Sequence, residues 1–149
     1  MQIIANNRKA SHEYVLHDTY ECGLVLHGTE IKSIREGKVN IRDAYALIRN
    51  EQAYIINMHI GKYKQGNQFN HDETRTRKLL LHKKEIIKIQ NKVNQEAMAL
   101  VPLKVYMKEG LCKIEIALGK GKKQYDKRQS LKEKDTKKRL DKVMKDARY

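Results

Sequence analysis

Apolar and polar residues alternate with period two along much of the first 118 residues, a pattern typical of strands that bury one face. The clearest run covers residues 112–118, where Cys112, Ile114, Ile116 and Leu118 alternate with polar residues. A second run covers residues 54–60 and repeats the same alternation. The pattern predicts a core that is mainly β.

Turn-forming residues separate these runs. Lys108, Glu109 and Gly110 lie between an alternating segment at 103–107 and the run at 112–118, which indicates a hairpin whose glycine supplies a positive φ. Pro102 lacks a backbone N–H and therefore indicates the beginning of a strand or an edge strand.

Two segments have the helical period instead. Thr29 can cap a short helix that runs to about Glu36 and is closed by Gly37, with Lys32 and Arg35 facing outward. A second helix is predicted from about residue 77 to residue 93. Its apolar stripe consists of Leu79, Ile86, Ile89 and Val93, widened by Leu80 and Ile87.

Several short antiparallel strands with two helices fit a small closed barrel of the oligonucleotide-binding type. We therefore predict a mainly β fold, with an RNA-binding barrel core at 1–118, flanking short helices and a basic C-terminal tail at 119–149. The length of 149 residues favours a single domain.

Positive charge narrows the class of partner. The formal net charge is +14, and residues 119–149 hold thirteen Lys or Arg and five Asp or Glu. A polyanion is the expected partner, and nucleic acid is favoured over a membrane surface because the sequence has no apolar run of eighteen residues. The tail has few large apolar residues, so we expect it to be disordered when free and to fold as a helix on a partner. Cys22 and Cys112 are expected to be reduced, buried thiols of a cytoplasmic protein.

Three basic segments are candidates for RNA contacts. Residues 119–128 combine five cations with Tyr125, a set suited to phosphate binding and base stacking, and we favour this over a solvated linker. Residues 70–78 offer cations just before the predicted second helix, but a capped, solvated helix entry would have the same sequence. For residues 6–10, RNA contact and a flexible N-terminus are equally consistent with the sequence.

Catalytic and metal-binding patterns are missing from the sequence. Residues 23–29 have the glycine spacing of a phosphate loop but lack its lysine. The His and Cys spacings match no zinc motif, and His71–Asp72 lacks a partnered nucleophile. We therefore expect no catalytic residue, no metal and no cofactor.

Considered together, these motifs resemble those of the small protein B family, and the resemblance covers nearly the whole chain. The segments that carry it are Asn7, His12–Tyr14, Tyr20–Gly23, Gly28–Arg35, Arg75–Leu81, Lys120–Lys123 and Asp126–Arg128. The resemblance implies an oligonucleotide-binding fold. It also implies binding to the tRNA-like domain of tmRNA, also called SsrA RNA, in trans-translation.

The implied partners are tmRNA, the decoding centre and mRNA channel of the small ribosomal subunit, and elongation factor Tu indirectly through alanyl-tmRNA. The implied mechanism is rescue of stalled ribosomes, with the tail in the empty mRNA channel. We expect a monomer that does not bind membranes.

The expected site residues come from two sources. The resemblance implies Asn7, Glu21, Leu80, Asp126–Arg128, Val143 and Met144, with Lys32 and Arg35 as neighbours, and the others come from the basic segments 70–78 and 119–128. Those expected at tmRNA are Asn7, Glu21, Lys32, Arg35, Arg75, Arg77, Lys78 and Leu80. Those expected at the ribosome are Lys120, Lys122, Lys123, Tyr125, Asp126, Lys127, Arg128, Val143 and Met144. Glu21 is expected to orient a basic residue or to accept a hydrogen bond from a base, and Leu80 to pack a helix behind the RNA face. Glu73, Gly119 and Thr136 depart from the family pattern.

Two alternatives to this assignment stay open. A generic oligonucleotide-binding or ribosomal protein would favour single strands over a folded tRNA-like domain. An RNA-modifying or RNA-cleaving enzyme would need a cluster of carboxylates, a metal or a nucleophile, and the sequence offers none.

Overall fold

The computed structural model describes residues 1–64 and 70–122. Three helices and nine strands occur in this part of the chain. The helices are α1 (Arg8–Glu13), α2 (Gly28–Arg35) and α3 (Lys83–Glu96). The strands are β1 (Gln2–Asn6), β2 (Tyr14–Leu24), β3 (Val39–Asn40), β4 (Tyr45–Arg49), β5 (Gln52–Ile56), β6 (His59–Ile60), β7 (Arg77–Leu80), β8 (Ala99–Lys108) and β9 (Leu111–Gly121).

Six antiparallel strands close into a ring in the order β8–β4–β5–β7–β2–β9, because β9 pairs back with β8. Strand β1 adds to the second half of β8, and β3 and β6 form a separate two-stranded sheet. The barrel interior is aliphatic and includes the fully buried Ile55, Ile114, Ile116 and Leu118. The predicted mainly β, antiparallel barrel with short helices is confirmed.

The hairpin between β8 and β9 is also confirmed. Met107 pairs with Cys112 and Lys108 pairs with Leu111, which leaves a two-residue turn. Both turn residues have positive φ, 52° at Glu109 and 78° at Gly110. This is the geometry of a type I′ turn, whose twist matches that of the flanking strands.

The predicted helix from residue 77 to 93 is wrong in its first part. Residues 77–80 form strand β7, and the helix α3 begins only at Lys83. Leu79 and Ile86 lie seven residues apart, a separation that fits one helical stripe. Leu79 is, however, a buried residue of strand β7, and Ile86 is a buried residue of helix α3. His82 is the N-cap of this helix, and Glu85 completes a capping box with it.

Two smaller expectations are corrected. The N-cap of α2 is His27 rather than Thr29, and Glu30 accepts a hydrogen bond from the His27 N–H. Pro102 is buried inside β8, next to a register shift between Pro102 and Lys104, where a missing N–H is tolerated.

The run at 54–60 is not one continuous strand. In β5 the buried residues are Ala53 and Ile55, so Tyr54 and Ile56 lie on the opposite face. The positive φ of 60° at Asn57 then ends this strand, and Met58 and Ile60 become buried beyond it.

Candidate nucleic-acid interface

One continuous surface is formed by the outward side chains of β7, β2, β9, β8 and β1, and we call it the outer wall. Cys22, Ile114 and Val105 point into the barrel, so their neighbours along each strand point outward. One row across the wall aligns Leu80, Gly23, Lys113, Tyr106 and Ile3. The next row aligns Glu21, Glu115, Lys104 and Asn6. Three strand spacings of about 4.8 Å therefore separate Asn6 from Glu21, roughly 14 Å.

Glu21 is an exposed acid on the outer wall. Its Oε2 accepts a hydrogen bond from the Tyr106 hydroxyl at 2.5 Å and lies 3.5 Å from Lys108 Nζ. The Tyr106 hydrogen bond has the largest effect and lowers the pKa of Glu21; burial opposes it, and the Lys108 charge adds to the lowering. Glu21 is therefore a fixed, ionised acceptor on the surface, beside a basic residue as expected.

Leu80 lies on the outer wall and does not pack behind it. Its side chain is 52% exposed and covers Gly23, where an added Cβ would lie 3.2 Å from Leu80 Cβ. The expectation that Leu80 supports a helix from behind is wrong, because residues 77–80 form a strand with Leu79 as its buried residue. Leu80 instead presents an apolar surface to solvent.

Asn7 connects the start of α1 to β8. Its Nδ2 donates to the Pro102 carbonyl at 2.9 Å, and its backbone N–H donates to the Leu103 carbonyl at 2.7 Å. These bonds hold the junction of β1 and α1 at the edge of the outer wall.

A second surface adjoins the wall at the end of β2, where α2 faces the segment after residue 70. Lys32 and Arg35 are exposed on α2, as predicted. Lys32 Nζ lies 5.4 Å from the centre of the Tyr63 ring. A cleft opens here between α2 and residues 70–75, and we call it the α2 cleft. Its lining residues are His27, Gly28, Thr29, Lys32, Asn70, His71, Asp72 and Arg75.

A buried ion network forms the floor of the α2 cleft. Glu30 and Arg77 have no exposed side-chain surface, and Arg75 has 24%. Arg77 Nε donates to Glu30 Oε2, and the remaining donors of Arg77 bond to the carbonyls of Met58, Asp72, Glu73 and Arg75. The network binds the segment 72–77 to α2 and to Met58, between β5 and β6.

Arg77 was predicted to contact RNA, and its burial excludes a direct contact in this structure. The expected contribution of helix N–H groups at residue 77 is wrong, because the chain enters a strand there, whereas phosphate contacts by the side chains of this segment stay a prediction. Arg75 and Lys78 keep exposed surface, Lys78 on the outward side of β7. Of the three cations of this segment, Arg77 is therefore structural.

The charge state of Glu30 depends on its partners. Burial alone would raise its pKa, but hydrogen bonds from Arg75, the His27 N–H and Arg77 together lower it. Burial lowers the pKa of Arg77, opposed by the hydrogen bond to Glu30, yet a guanidinium stays protonated in proteins. The network is therefore a carboxylate between two guanidinium groups.

His71 is a structural residue and not a general base. Its ring is buried, with Nε2 2.8 Å from the Ile60 carbonyl and Nδ1 2.9 Å from the Thr29 hydroxyl. Since a carbonyl only accepts, Nε2 carries a proton. Asp72 accepts a hydrogen bond from the Thr74 N–H within its own loop.

The basic segment after β9 is described only in part. Strand β9 continues to Gly121, so Lys120 is half-buried in the sheet opposite Val15, and Lys122 is exposed just beyond the strand. Gly119 lies under Tyr14, and an added Cβ would lie 3.1 Å from Tyr14 Cβ. The tail residues predicted from Lys123 to Met144 lie outside the described residues, as does Thr136.

Within residues 1–64 and 70–122, no group of three or more His, Cys, Asp or Glu side chains is arranged to hold a metal ion. No helix in the described ranges is long and apolar enough to cross a membrane. Cys22 and Cys112 are free thiols, and burial raises the pKa of Cys112 to about 11 and that of Cys22 to about 12.

Sequence reasoning missed Glu30 and Tyr106. Glu30 follows His27 by three residues, the spacing of a capping box, and that spacing could have indicated its role at the helix start. No local signal predicts its pairing with Arg75 and Arg77, which lie 45 and 47 residues away. Tyr106 is 85 residues from Glu21, and only the strand pairing brings them together.

Comparisons with known proteins agree with one another. The family model described as "SmpB protein" matches residues 4–146. An SsrA-binding protein of Oceanobacillus iheyensis is 58% identical over 146 residues, covering 97% of this chain and 94% of the relative. SsrA-binding proteins of Bacillus cereus (strain G9842) and Bacillus mycoides are 56% and 55% identical over 145 residues, with the same coverage.

A solved structure described as "tmRNA-SmpB: a journey to the center of the bacterial ribosome" contains a chain that is 42% identical and superimposes with a TM-score of 0.66. The match covers 78% of this chain and 82% of that one. The fold and the sequence therefore lead to the same assignment. The chain belongs to the SmpB protein family.

Proposed function

We propose that this protein binds tmRNA and acts in trans-translation to rescue stalled ribosomes. The observation that carries the proposal is membership of the SmpB family along residues 4–146, with relatives named SsrA-binding protein at 54–58% identity. The function is binding rather than catalysis, and its site of action is the ribosome in the cytoplasm.

The outer wall and the α2 cleft are the proposed tmRNA surface. In this proposal Lys32, Arg35, Arg75 and Lys78 neutralise phosphates, and such contacts position an RNA without reading its sequence. Glu21 is a fixed acceptor suited to the amino group of an unpaired base. Leu80 offers an apolar surface to the face of a base or ribose.

Asn7 and Arg77 support this surface from within. Asn7 holds the junction of β1 and α1 against β8, and Arg77 fixes the segment that carries Arg75. Their substitution is expected to weaken RNA binding through the position of neighbouring residues.

The tail is proposed to act on the ribosome. Lys120 and Lys122 lead out of β9 into it, and the further residues assigned to this step are Lys123, Tyr125, Asp126, Lys127, Arg128, Val143 and Met144. In this proposal the tail occupies the empty mRNA channel and reaches the decoding centre of the small subunit, after delivery of alanyl-tmRNA with elongation factor Tu. Ribosomal RNA supplies the charge that compensates the basic tail.

The test is binding to the tRNA-like domain of tmRNA in competition with an unstructured RNA of equal length, over a range of salt concentrations. We expect selectivity for the tRNA-like domain that persists at moderate salt. Equal binding to both RNAs with a steep salt dependence would make the protein a generic basic binder and overturn the proposal.

A matched pair of lysines tests the proposed surface. Lys32→Ala removes an exposed cation of the α2 cleft, and we expect weaker binding with a salt slope smaller in magnitude by about 1. Lys92→Ala removes the same charge from α3, where it is paired with Asp18 at 2.5 Å, and serves as the control.

A further inference from the structure

We infer that Glu30 is a positioning residue for RNA binding: it fixes Arg75 as a rigid phosphate clamp at the α2 cleft. The inference rests on the proposed function and deepens it. It assigns an RNA-binding role to a buried acid, although an acid repels phosphate.

Glu30 holds Arg75 by several bonds at once. Arg75 Nη2 donates to Glu30 Oε1 at 2.5 Å, and Nε lies 3.2 Å from both carboxylate oxygens. Nη2 also donates to the Val25 carbonyl at 3.2 Å. One edge of the guanidinium plane is thus fixed on the protein side.

The donors of Arg75 that remain for a ligand are those of Nη1, since Nε and Nη2 are bonded to Glu30 and Val25. Among the residues that the structure describes, Nη1 contacts the Thr76 carbonyl alone, at 3.4 Å. The side chain keeps 24% of its surface exposed and lines the α2 cleft together with Lys32. A fixed Nη1 on Arg75, with the ammonium group of Lys32 on the same cleft, suits contact with a phosphate group.

Glu30 is itself immobilised. It accepts from the His27 N–H at 2.8 Å and from Arg77, whose other donors are occupied by backbone carbonyls. The clamp is therefore anchored to α2 on one side and to Met58, Asp72 and Glu73 on the other. Arg75 cannot reorient without breaking this network.

The two possible roles of Glu30, as a negative charge and as a support for Arg75, predict opposite changes in RNA affinity when its carboxylate is removed. Removing a carboxylate next to an RNA surface strengthens attraction for phosphate if only charge matters. Removing it weakens binding if its main effect is to hold Arg75 in place. The sign of the change therefore distinguishes the two roles.

The experiment measures affinity for the tRNA-like domain of tmRNA and for an unstructured RNA of equal length. We expect Glu30→Gln to bind the tRNA-like domain at least fivefold more weakly than the wild type. The control is Glu36→Gln, which removes an exposed carboxylate from the C-cap of the same helix and should leave binding equal or slightly tighter. Glu30→Gln binding as tightly as the wild type, or more tightly, would overturn the inference.

A second variant guards against a folding defect. Arg75→Lys keeps the charge at a partly exposed position but loses the fork that Glu30 holds, so it should also bind at least fivefold more weakly. Circular dichroism establishes that each variant is folded. If Glu30→Gln does not fold, the RNA affinity of Arg75→Lys tests the clamp by itself. Wild-type affinity in that variant rejects the clamp.

A double-mutant cycle shows whether Glu30 acts through Arg75. In an Arg75→Ala background, Glu30→Gln should cause no further loss of affinity. An equal loss in both backgrounds means a general structural role and rejects the clamp. Wild-type protein that fails to prefer the tRNA-like domain rejects the proposed function instead, while the ratio of variant to wild type on the unstructured RNA still reports on the clamp.

Discussion

At the residue scale, two carboxylates of this protein stay ionised for different reasons. Glu21 is exposed, and a tyrosine hydroxyl and a lysine hold it as a surface acceptor. Glu30 is buried, and only two guanidinium groups and an N–H offset the cost of its desolvation. Glu21 is therefore available to a ligand, whereas Glu30 acts through its neighbours.

The lowered pKa of Glu30 gives a pH dependence of known sign. Above its unfolded value near 4.5 the ionised carboxylate stabilises the fold, and this contribution is lost as the pH falls through the lower folded value. We expect the free energy of unfolding of the wild type to fall with decreasing pH in this range, with Glu30 contributing up to about 1.4 kcal/mol per pH unit.

Urea unfolding followed by circular dichroism from pH 3 to pH 7 measures this slope. Glu30→Gln should be less stable at neutral pH and should show a shallower slope below pH 4.5. Glu36→Gln, which lacks only an exposed carboxylate, should keep the wild-type slope. Identical slopes in the wild type and Glu30→Gln would contradict a depressed pKa.

At the element scale, the sequence predicted those strands and turns whose residues lie close together in the chain. The run at 112–118 and the glycine at 110 predicted β9 and its hairpin, since both signals lie within a few residues. The predicted helix over 77–93 was wrong in its first residues. The buried residues of β7 and those of α3 happen to be separated by a helical interval, so spacing alone does not distinguish a strand followed by a helix from one longer helix. Only the pairing of β7 with β2 and β5 decides between them.

The β8–β9 turn allows two substitutions with opposite effects. Gly110 has a φ of 78°, and an added Cβ meets nothing within 4 Å, so Gly110→Ala should destabilise by about 1 kcal/mol through the backbone alone. Glu109 has a φ of 52°, which Asn adopts more readily than Glu does. Glu109→Asn should therefore raise the free energy of unfolding by roughly a few tenths of a kcal/mol.

Urea denaturation of both variants and the wild type provides the measurement. A change of the same sign in both variants would be inconsistent with a type I′ turn. RNA affinity should be unchanged in both, since neither residue belongs to the proposed surface.

At the scale of the whole molecule, the candidate site is assembled by contacts between distant residues. The outer wall joins β7, β2, β9, β8 and β1, and the α2 cleft joins residues near 30 with residues near 75. The basic composition predicted the class of partner. It did not predict that Arg77 is buried while Arg75, two residues earlier, is partly exposed, because the barrel pairing determines which side of the chain faces the core.

The division between core and tail gives the last prediction. Residues 123–149 hold eleven Lys or Arg and five Asp or Glu, so their removal takes away much of the net charge. The chain should be ended after Lys122 and not at residue 118, since Lys120 and Gly121 pair with Val15 and Tyr14 in the barrel. This truncation keeps the outer wall and the α2 cleft intact.

We expect the truncated protein to keep most of its affinity for the tRNA-like domain, because the proposed tmRNA surface lies on the core. Binding to unstructured RNA should weaken, with a smaller salt slope, since fewer cations neutralise phosphates. Peptide release from ribosomes stalled on an mRNA without a stop codon should be lost. The matched control is the full-length chain with Lys127→Ala and Arg128→Ala, which should also keep tmRNA affinity but lose rescue. If the truncation loses most of its affinity for the tRNA-like domain, the tail itself binds tmRNA, and the assignment of that step to the core is wrong.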